Sequence, residues 1–258
     1  MSMRKLFAII ILSISMPVVH AQFAPPPLSP IGKKIQQAVD SDIRTATEKE
    51  RDANRKPRQT LEFLGLQEDM RVVELVPGRG WYTKIIAPVV ADKGQYYVAI
   101  ASRMSAMLEK YDALSKVEIL PLDVKLLPQD IIGQFDLTEF TLGIDDVDLI
   151  LTFRNLHNFL PQARGYINKA AFEALKPGGL YGVIDHTRRH SEPDTAENWR
   201  RMDPVLAILE IQAAGFELVD SSDLHYRPDD ELRYEVGRKT VAGNTDRFTL
   251  LFRKPEKN

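Results

Sequence analysis

Two histidines follow neighbouring strands of the predicted sheet, at the point where each strand ends. His157 comes shortly after a continuously apolar strand predicted over residues 147–153, and His186 directly follows a strand predicted over residues 180–185. Ligands of open α/β sheets gather at the carboxyl ends of the strands. Because histidine titrates near neutral pH, either side chain is a candidate general base that removes a proton from a bound molecule.

Polar residues adjoin both histidines and leave two interpretations open. In the first, Arg154 and Asn155 orient the molecule from which a histidine takes the proton. In the second, one histidine only hydrogen-bonds to backbone, and Asp185 pairs with an arginine of the polar stretch 187–202. A metal site built from Asp185 and the histidines up to His190 is disfavoured, because the two intervening arginines would repel a cation.

A glycine turn after the first predicted strand is typical of nucleotide-binding proteins. The strand passes through Glu74 into the sequence Pro-Gly-Arg-Gly, and an apolar-periodic segment at helical spacing follows. Gly78 and Gly80 let the main chain turn tightly and bring its amide groups close to a ligand at the helix N-terminus. A nicotinamide dehydrogenase would carry a further glycine at Thr83 and an acid at the second strand, and this chain has neither.

The composition is that of an ordinary globular protein, since 44% of the 258 residues are hydrophobic, 27% are charged and none is cysteine. Arg4 and Lys5 precede an apolar run, residues 6–19, that is too short for a comfortable membrane span, and Ala21 suits cleavage. We therefore expect residues 1–21 to be a signal peptide and the protein to be exported, periplasmic or secreted. Removing Arg4 and Lys5 takes the formal net charge from −2 to near −4, which argues against a nucleic-acid partner.

Strand and helix patterns alternate along most of the chain. Residues 22–56 are interpreted as a proline-rich leader and a helical extension, in which one charged helix runs from about residue 32 to 54 and the segment 50–57 forms a solvated face. Residues 57–258 are expected to form one α/β domain with a parallel sheet. The predicted strands are 71–75, 94–102, 116–120, 147–153, 180–185, 216–219 and 247–254, and the predicted helices are 57–64, 81–90, 104–114, 164–175 and 204–214.

Four segments resemble motifs of the class I S-adenosylmethionine-dependent methyltransferases. They are Glu74–Thr83, Leu122–Val124, Asp148–Asn158 and Ala174–Leu180. The resemblance covers residues 57–254 and implies a Rossmann-like, doubly wound, seven-stranded and mostly parallel sheet whose last strand is antiparallel. More narrowly, Leu151–Asn158 together with Asp185 and His186 resembles a group of exported, poorly characterised predicted methyltransferases.

The resemblance implies S-adenosylmethionine as the cofactor, and the residue types suit its parts. Glu74 can balance the ammonium group, backbone amides of the turn and Arg79 can bind the carboxylate, and Asp123 can accept a hydrogen bond from the adenine amine. An aromatic residue of the turn, or Phe153, can present its ring to the sulfonium. The candidate cofactor-binding residues are Glu74, Gly78, Arg79, Gly80, Trp81, Tyr82, Ser102, Asp123 and Thr152.

Two positions depart from the family pattern. Val76 replaces its first glycine, and the second strand ends near Ser102 without the acid that usually holds the ribose hydroxyls. We therefore retain two hypotheses. The first is methyl transfer from S-adenosylmethionine to a small molecule. The second is an exported, non-catalytic protein that binds a small ligand on a methyltransferase-like fold.

Overall fold

A computed structural model describes residues 27–101 and 104–256 of the chain. The predicted signal peptide, residues 1–21, lies outside these ranges, as do the first residues of the proline-rich leader and Ser102. Within the described ranges, no helix is both long and apolar enough to cross a lipid bilayer.

These two ranges form nine strands and eight α-helices. The strands are β1 (Arg71–Leu75), β2 (Gln95–Ala99), β3 (Val117–Ile119), β4 (Leu126–Pro128), β5 (Phe135–Leu137), β6 (Val147–Phe153), β7 (Leu175–His186), β8 (Glu217–Ser222) and β9 (Arg247–Arg253). The helices are α1 (Pro30–Asp40), α2 (Ala46–Glu50), α3 (Asp52–Arg55), α4 (Pro57–Phe63), α5 (Thr83–Val90), α6 (Ser105–Lys110), α7 (Pro161–Ala174) and α8 (Pro204–Ala213). Short 3₁₀ helices lie at Asp112–Leu114 and Leu156–Asn158.

Seven of the strands form one sheet in the order β3-β2-β1-β6-β7-β9-β8. Neighbouring strands are parallel except at β9, which pairs antiparallel with both β7 and β8. The predicted seven-stranded fold with an antiparallel last strand is therefore confirmed. From β1 the strand order runs outward to β2 and β3, and the chain then returns to β6 on the other side of β1. The strand order therefore reverses between β1 and β6, and ligands of open α/β sheets bind at such a point.

Helices cover both faces of the sheet because successive strand residues point to opposite sides. In β1, Val72 packs in one apolar core with Ile35 of α1 and Ile85 of α5, whereas Val73 packs in a second core with Ile167 of α7. The central strand β6 is buried along nearly its whole length, which its continuous apolar sequence predicts.

The charged N-terminal segment differs from its prediction, because three short helices replace the single one. A capping box of Thr45 and Glu48 begins α2, and Lys56, the residue after α3, turns the chain into α4 with a φ of 42°. Arg55 lies in the segment interpreted as a solvated face, but only 4% of it is exposed. The interpretation was therefore wrong for Arg55, which packs at the carboxyl edge of the sheet.

Two further elements refine the predicted order. The unassigned residues 125–146 contain β4 and β5, which pair as an antiparallel hairpin outside the main sheet. The Lys-Pro-Gly-Gly stop ends α7 at Ala174, and β7 starts at the next residue instead of at Leu180.

Candidate functional site

Three neighbouring strands end in residues with a left-handed backbone. Val76 after β1, Ile100 after β2 and Arg154 after β6 have φ angles of 53°, 54° and 59°. Such angles are uncommon for β-branched residues and persist only where the surroundings hold them. The Val76 amide donates to the carbonyl of Ala99, and the Asn155 side-chain amide donates to the carbonyl of Val76, each over 2.9 Å. The strand ends are thus bonded to one another at the predicted ligand edge.

A cavity of about 200 Å³ opens beside the glycine turn, and Glu74 lines it. The Glu74 carboxylate is 3% exposed, and its Oε2 accepts hydrogen bonds from the hydroxyls of Thr83, at 2.6 Å, and Tyr96, at 2.5 Å. Burial raises the pKa of Glu74 above its ordinary value. Its Oε1 has no hydrogen-bond partner among the described residues, which leaves that oxygen for a ligand.

Three aromatic rings form a wall of this smaller cavity. Tyr82 stacks on Phe153 with ring centroids 3.6 Å apart, and Trp81 meets Tyr82 edge-on at 4.6 Å. The Arg55 guanidinium lies 4.3 Å from the centroid of the Trp81 ring. A cation of the chain therefore already occupies one face of Trp81, while Tyr82 and Phe153 remain candidates to contact a ligand.

His157 forms a buried pair with Asp185 across the ends of β6 and β7. Its Nδ1 lies 2.5 Å from Oδ1 of Asp185, and its backbone amide donates to Oδ2 over 3.0 Å. Asp185 is fully buried and His157 is 8% exposed. The interpretation that Asp185 pairs with an arginine of residues 187–202 is wrong. A carboxylate at Nδ1 fixes the proton there, so that Nε2 of the neutral ring is free to accept one.

His186 lies beside His157, with ring centroids 5.6 Å apart, but it has a different environment. Its Nδ1 is 2.8 Å from the hydroxyl of Thr245. Burial and the neighbouring His157, Arg154 and Arg247 lower the pKa of His186 well below its ordinary value. His186 is therefore a neutral hydrogen-bonding group, and its protonated form is strongly disfavoured.

Both histidines line a second, larger cavity of about 440 Å³. This volume falls within the range of roughly 300–1,000 Å³ that is common for small-molecule sites, and the smaller cavity falls below it. The two cavities share three lining residues, Arg51, Arg55 and Arg154. The larger cavity is also lined by Asn54, Asn158, Arg200, Val236, Gly237, Gly243, Thr245 and Arg247.

Two buried contacts position the segments that surround the larger cavity. Arg201 and Asp230 form a fully buried ion pair, with Nη1 and Oδ2 2.8 Å apart, which holds the 223–246 loop to the end of β7. His225 bonds to Thr249 of β9 through Nδ1, at 2.7 Å, and its Nε2 lies 3.0 Å from the carbonyl of Arg55. His225 thereby links Arg55 to β9, the last strand.

The predicted cofactor residues are brought together only in part. Gly78 has a φ of 61° and open space around it, whereas Gly80, at 74°, packs against the Met107 side chain. Arg79 is exposed and lines the smaller cavity with Glu74, Trp81 and Tyr82. Asp123 is exposed and lines neither cavity, and Ser102 lies outside the described residues. Thr152 is buried within β6, where its hydroxyl has no partner in the described part of the chain.

The predicted catalytic residues converge more closely. Arg154 lines both cavities, and His157 and His186 line the larger one. Asn155 lines the smaller cavity, but its side-chain amide is bonded to the carbonyls of Val76 and Phe153. Asn155 therefore holds the strand ends together.

Sequence reasoning missed the cationic wall made by Arg51, Arg55 and Arg247. Arg51 and Arg55 are four residues apart, the spacing that places two side chains on one face of a helix. That spacing just before the glycine turn was the available signal. For Arg247 no signal existed, because its position depends on the pairing of β9 with β7.

No protein-family model matches the chain, and no curated protein sequence is significantly similar to it. Solved structures do share its fold. A SAM-dependent methyltransferase from Aquifex aeolicus is 18% identical, with a TM-score of 0.53 over 86% of this chain and 98% of that chain. The [4+2]-cyclase SpnF is 17% identical, with a TM-score of 0.55 over 88% of this chain and 93% of that chain.

A third similar structure is human N-acetylserotonin methyltransferase in complex with SAM. It is 13% identical, with a TM-score of 0.52, and the match covers 87% of this chain and 56% of that chain. Identities this low establish the shared fold, and the reaction has to be argued from the site.

Proposed function

We propose that the protein transfers a methyl group from S-adenosylmethionine to a small molecule, with His157 as the general base. One juxtaposition carries the proposal. A buried carboxylate that keeps one oxygen for a ligand, Glu74, and a histidine oriented by Asp185 stand at the ends of nearby strands. The similarity of the fold to solved methyltransferases supports it, although one similar structure is that of a cyclase.

The residues of the smaller cavity fit the amino-acid end of S-adenosylmethionine. The free Oε1 of Glu74 would accept a hydrogen bond from the ammonium group. Arg79 and the amides beside Gly78 would bind the carboxylate, and the stacked rings of Tyr82 and Phe153 would face the sulfonium. When bound, the cofactor supplies an activated methyl group, and the electron pair of the broken C–S bond remains on sulfur.

The nucleoside end of the cofactor would bind along the loops that follow β2 and β3. We assign the ribose hydroxyls to Ser102 and the adenine amine to Asp123, which is exposed and has no hydrogen bond within the described residues. An exposed carboxylate in this loop is accessible to an amine donor.

His157 is the better base of the two histidines because Asp185 supports its charged form. The carboxylate accepts from Nδ1 and would stabilise the imidazolium that forms when Nε2 takes the acceptor's proton. Among the described residues the His186 ring has no acidic partner, and its lowered pKa makes protonation unfavourable. We therefore assign proton removal to His157 and a hydrogen-bonding role to His186.

The proposal predicts that the full-length protein binds S-adenosylmethionine and S-adenosylhomocysteine in calorimetric titrations. Glu74→Gln should weaken binding of both at least tenfold, because a hydrogen bond to a charged group contributes about 1.5–3 kcal/mol. The matched control is Glu118→Gln, which changes an exposed carboxylate on β3 of the same sheet. A folded wild-type protein that binds neither compound would refute the proposal.

A further inference from the structure

The larger cavity carries positive charge that no residue of its wall balances. Of the residues that the structure describes, no aspartate or glutamate lines it, whereas five arginines do: Arg51, Arg55, Arg154, Arg200 and Arg247. Arg200 pairs with Glu235, which stands outside the wall. In the described part of the chain, none of the other four forms an ion pair with an acid.

Arg55 is the most unusual of these arginines because it is buried without an anionic partner. It is 4% exposed, and its guanidinium makes no hydrogen bond or ion pair with any described residue. Its contacts are the faces of Trp81, at 4.3 Å, and Tyr82, at 5.8 Å. Burial and the nearby Arg154 lower its pKa. A buried charge is unfavourable unless something pairs with it, so this guanidinium is set to receive an anion.

Two further arginines of the wall have only neutral partners or none. Arg247 is 5% exposed and donates to the carbonyls of Asn54, at 2.6 Å, and Thr245, at 3.3 Å. The side chain of Arg154 has no hydrogen bond among the described residues. Planar guanidinium groups match the geometry of carboxylate and phosphate oxygens and bind them through paired hydrogen bonds.

We propose that the methyl acceptor is a small organic anion, which Arg55, Arg154 and Arg247 hold in the larger cavity by its carboxylate or phosphate oxygens. This inference rests on the proposed methyl transfer, since it names the acceptor of that reaction. His157 lines the same cavity, so an anion fixed by the arginines lies within reach of the base. The positive wall also stabilises the negative charge that develops when the acceptor loses its proton.

Thermal unfolding of the full-length protein tests the anion site with citrate, glycerol 3-phosphate and inorganic phosphate as probes. Sodium chloride at matched ionic strength corrects for general screening. A ligand present at 100 times its dissociation constant should raise the Tm of wild type by about 5 °C or more. A shift with citrate alone identifies a carboxylate site, and a shift with either phosphate compound identifies a phosphate site.

Two variants tie the shift to the buried arginines. Arg55→Met keeps the length of the side chain and removes the unpaired charge, so its ligand-free Tm should equal or exceed that of wild type while the anion-induced shift is lost. Arg154→Met, at a less buried position, should need at least ten times as much ligand as wild type to reach the same Tm shift. The matched control is Arg253→Met, at the exposed far end of β9 from Arg247, which should retain the full shift.

The outcomes separate this inference from the proposed function. Equal anion shifts in wild type, Arg55→Met and Arg154→Met, or no shift in any of them, would overturn the anion site. If S-adenosylmethionine binds but no anion does, the methyl transfer stands and the anionic acceptor is excluded. If the anions bind through these arginines but S-adenosylmethionine does not, methyl transfer is excluded and the cavity belongs to an anion-binding protein.

Discussion

The two cavities at the carboxyl edge share Arg51, Arg55 and Arg154, yet they suit ligands of different charge. The smaller one sets the carboxylate of Glu74 and a stacked aromatic pair against these cations. The larger one adds Arg247 and two histidines, and no acid of the described chain lines it. A molecule with both charges fits the first cavity and an anion fits the second. Under the proposed function, this difference would separate the methyl donor from the acceptor by charge as well as by place.

The largest effect expected is on catalysis, at His157, which lines the larger cavity and not the smaller one. His157→Ala should lower the rate of S-adenosylhomocysteine release with an accepted organic anion by roughly 10²–10⁴-fold, since it removes the general base. Affinity for S-adenosylmethionine, measured by calorimetry, should stay unchanged because His157 does not line the smaller cavity.

The control for this variant is His190→Ala. His190 is exposed and pairs with Asp203, and it lines neither cavity. Normal turnover in His157→Ala would remove the base assignment. Loss of S-adenosylmethionine binding in the same variant would show that the two cavities are not independent sites.

The smaller cavity could be predicted from the sequence because one short stretch builds most of it. Glu74, Gly78, Trp81 and Tyr82 fall within nine residues, and a strand followed by a glycine turn fixes their relative positions. The sheet was predictable for a similar reason. The central strands β1 and β6 are buried and largely apolar, and helices between successive strands require parallel pairing.

The histidines of the larger cavity were predicted, but its arginine wall was not, because that wall comes from segments far apart in the chain. Arg55 and Arg247 meet only through the path of the N-terminal helices and the pairing of β9 beside β7. Charge alone misleads in such cases, since a run of charged residues normally faces solvent. The partner of Asp185 was equally hard to predict. The arginines of residues 187–202 are close to Asp185 in sequence, and His157 is close to it across the predicted sheet, so the sequence alone did not distinguish them.

The second prediction concerns His225, whose ring lies against the backbone carbonyl of Arg55, a residue that lines both cavities. Burial, Arg247, Arg227 and Lys56 act against a charge on His225, lowering its pKa from 6.5 to about 4, while its hydrogen bond to a backbone carbonyl opposes this. The unfolded chain therefore binds the proton more strongly, and stability is lost as the pH falls below 6.5. His225 should account for about 2 kcal/mol of the stability lost between pH 7 and pH 5.

Chemical denaturation at the two pH values measures this loss. His225→Gln should be less stable than wild type at pH 7 and lose less stability at pH 5, while His190→Gln, at an exposed site, should follow wild type. An unchanged pH dependence in His225→Gln would show that the buried ring is not the source.

The smallest effect expected is confined to the smaller cavity and comes from Gly78→Asn. Gly78 has a φ of 61° with no atom within 4 Å of a Cβ built on it, and asparagine tolerates this left-handed conformation. The variant should therefore fold normally while its side chain enters the space of the ligand, which weakens S-adenosylmethionine binding about tenfold, or about 1.4 kcal/mol. The citrate-induced Tm shift should not change. Gly143→Asn provides the control, because Gly143 has a φ of 67° and open space but precedes β6, at the opposite edge of the sheet. If both asparagine variants bind the cofactor equally well, the ligand does not approach the turn at Gly78, and the donor has to be sought in the larger cavity.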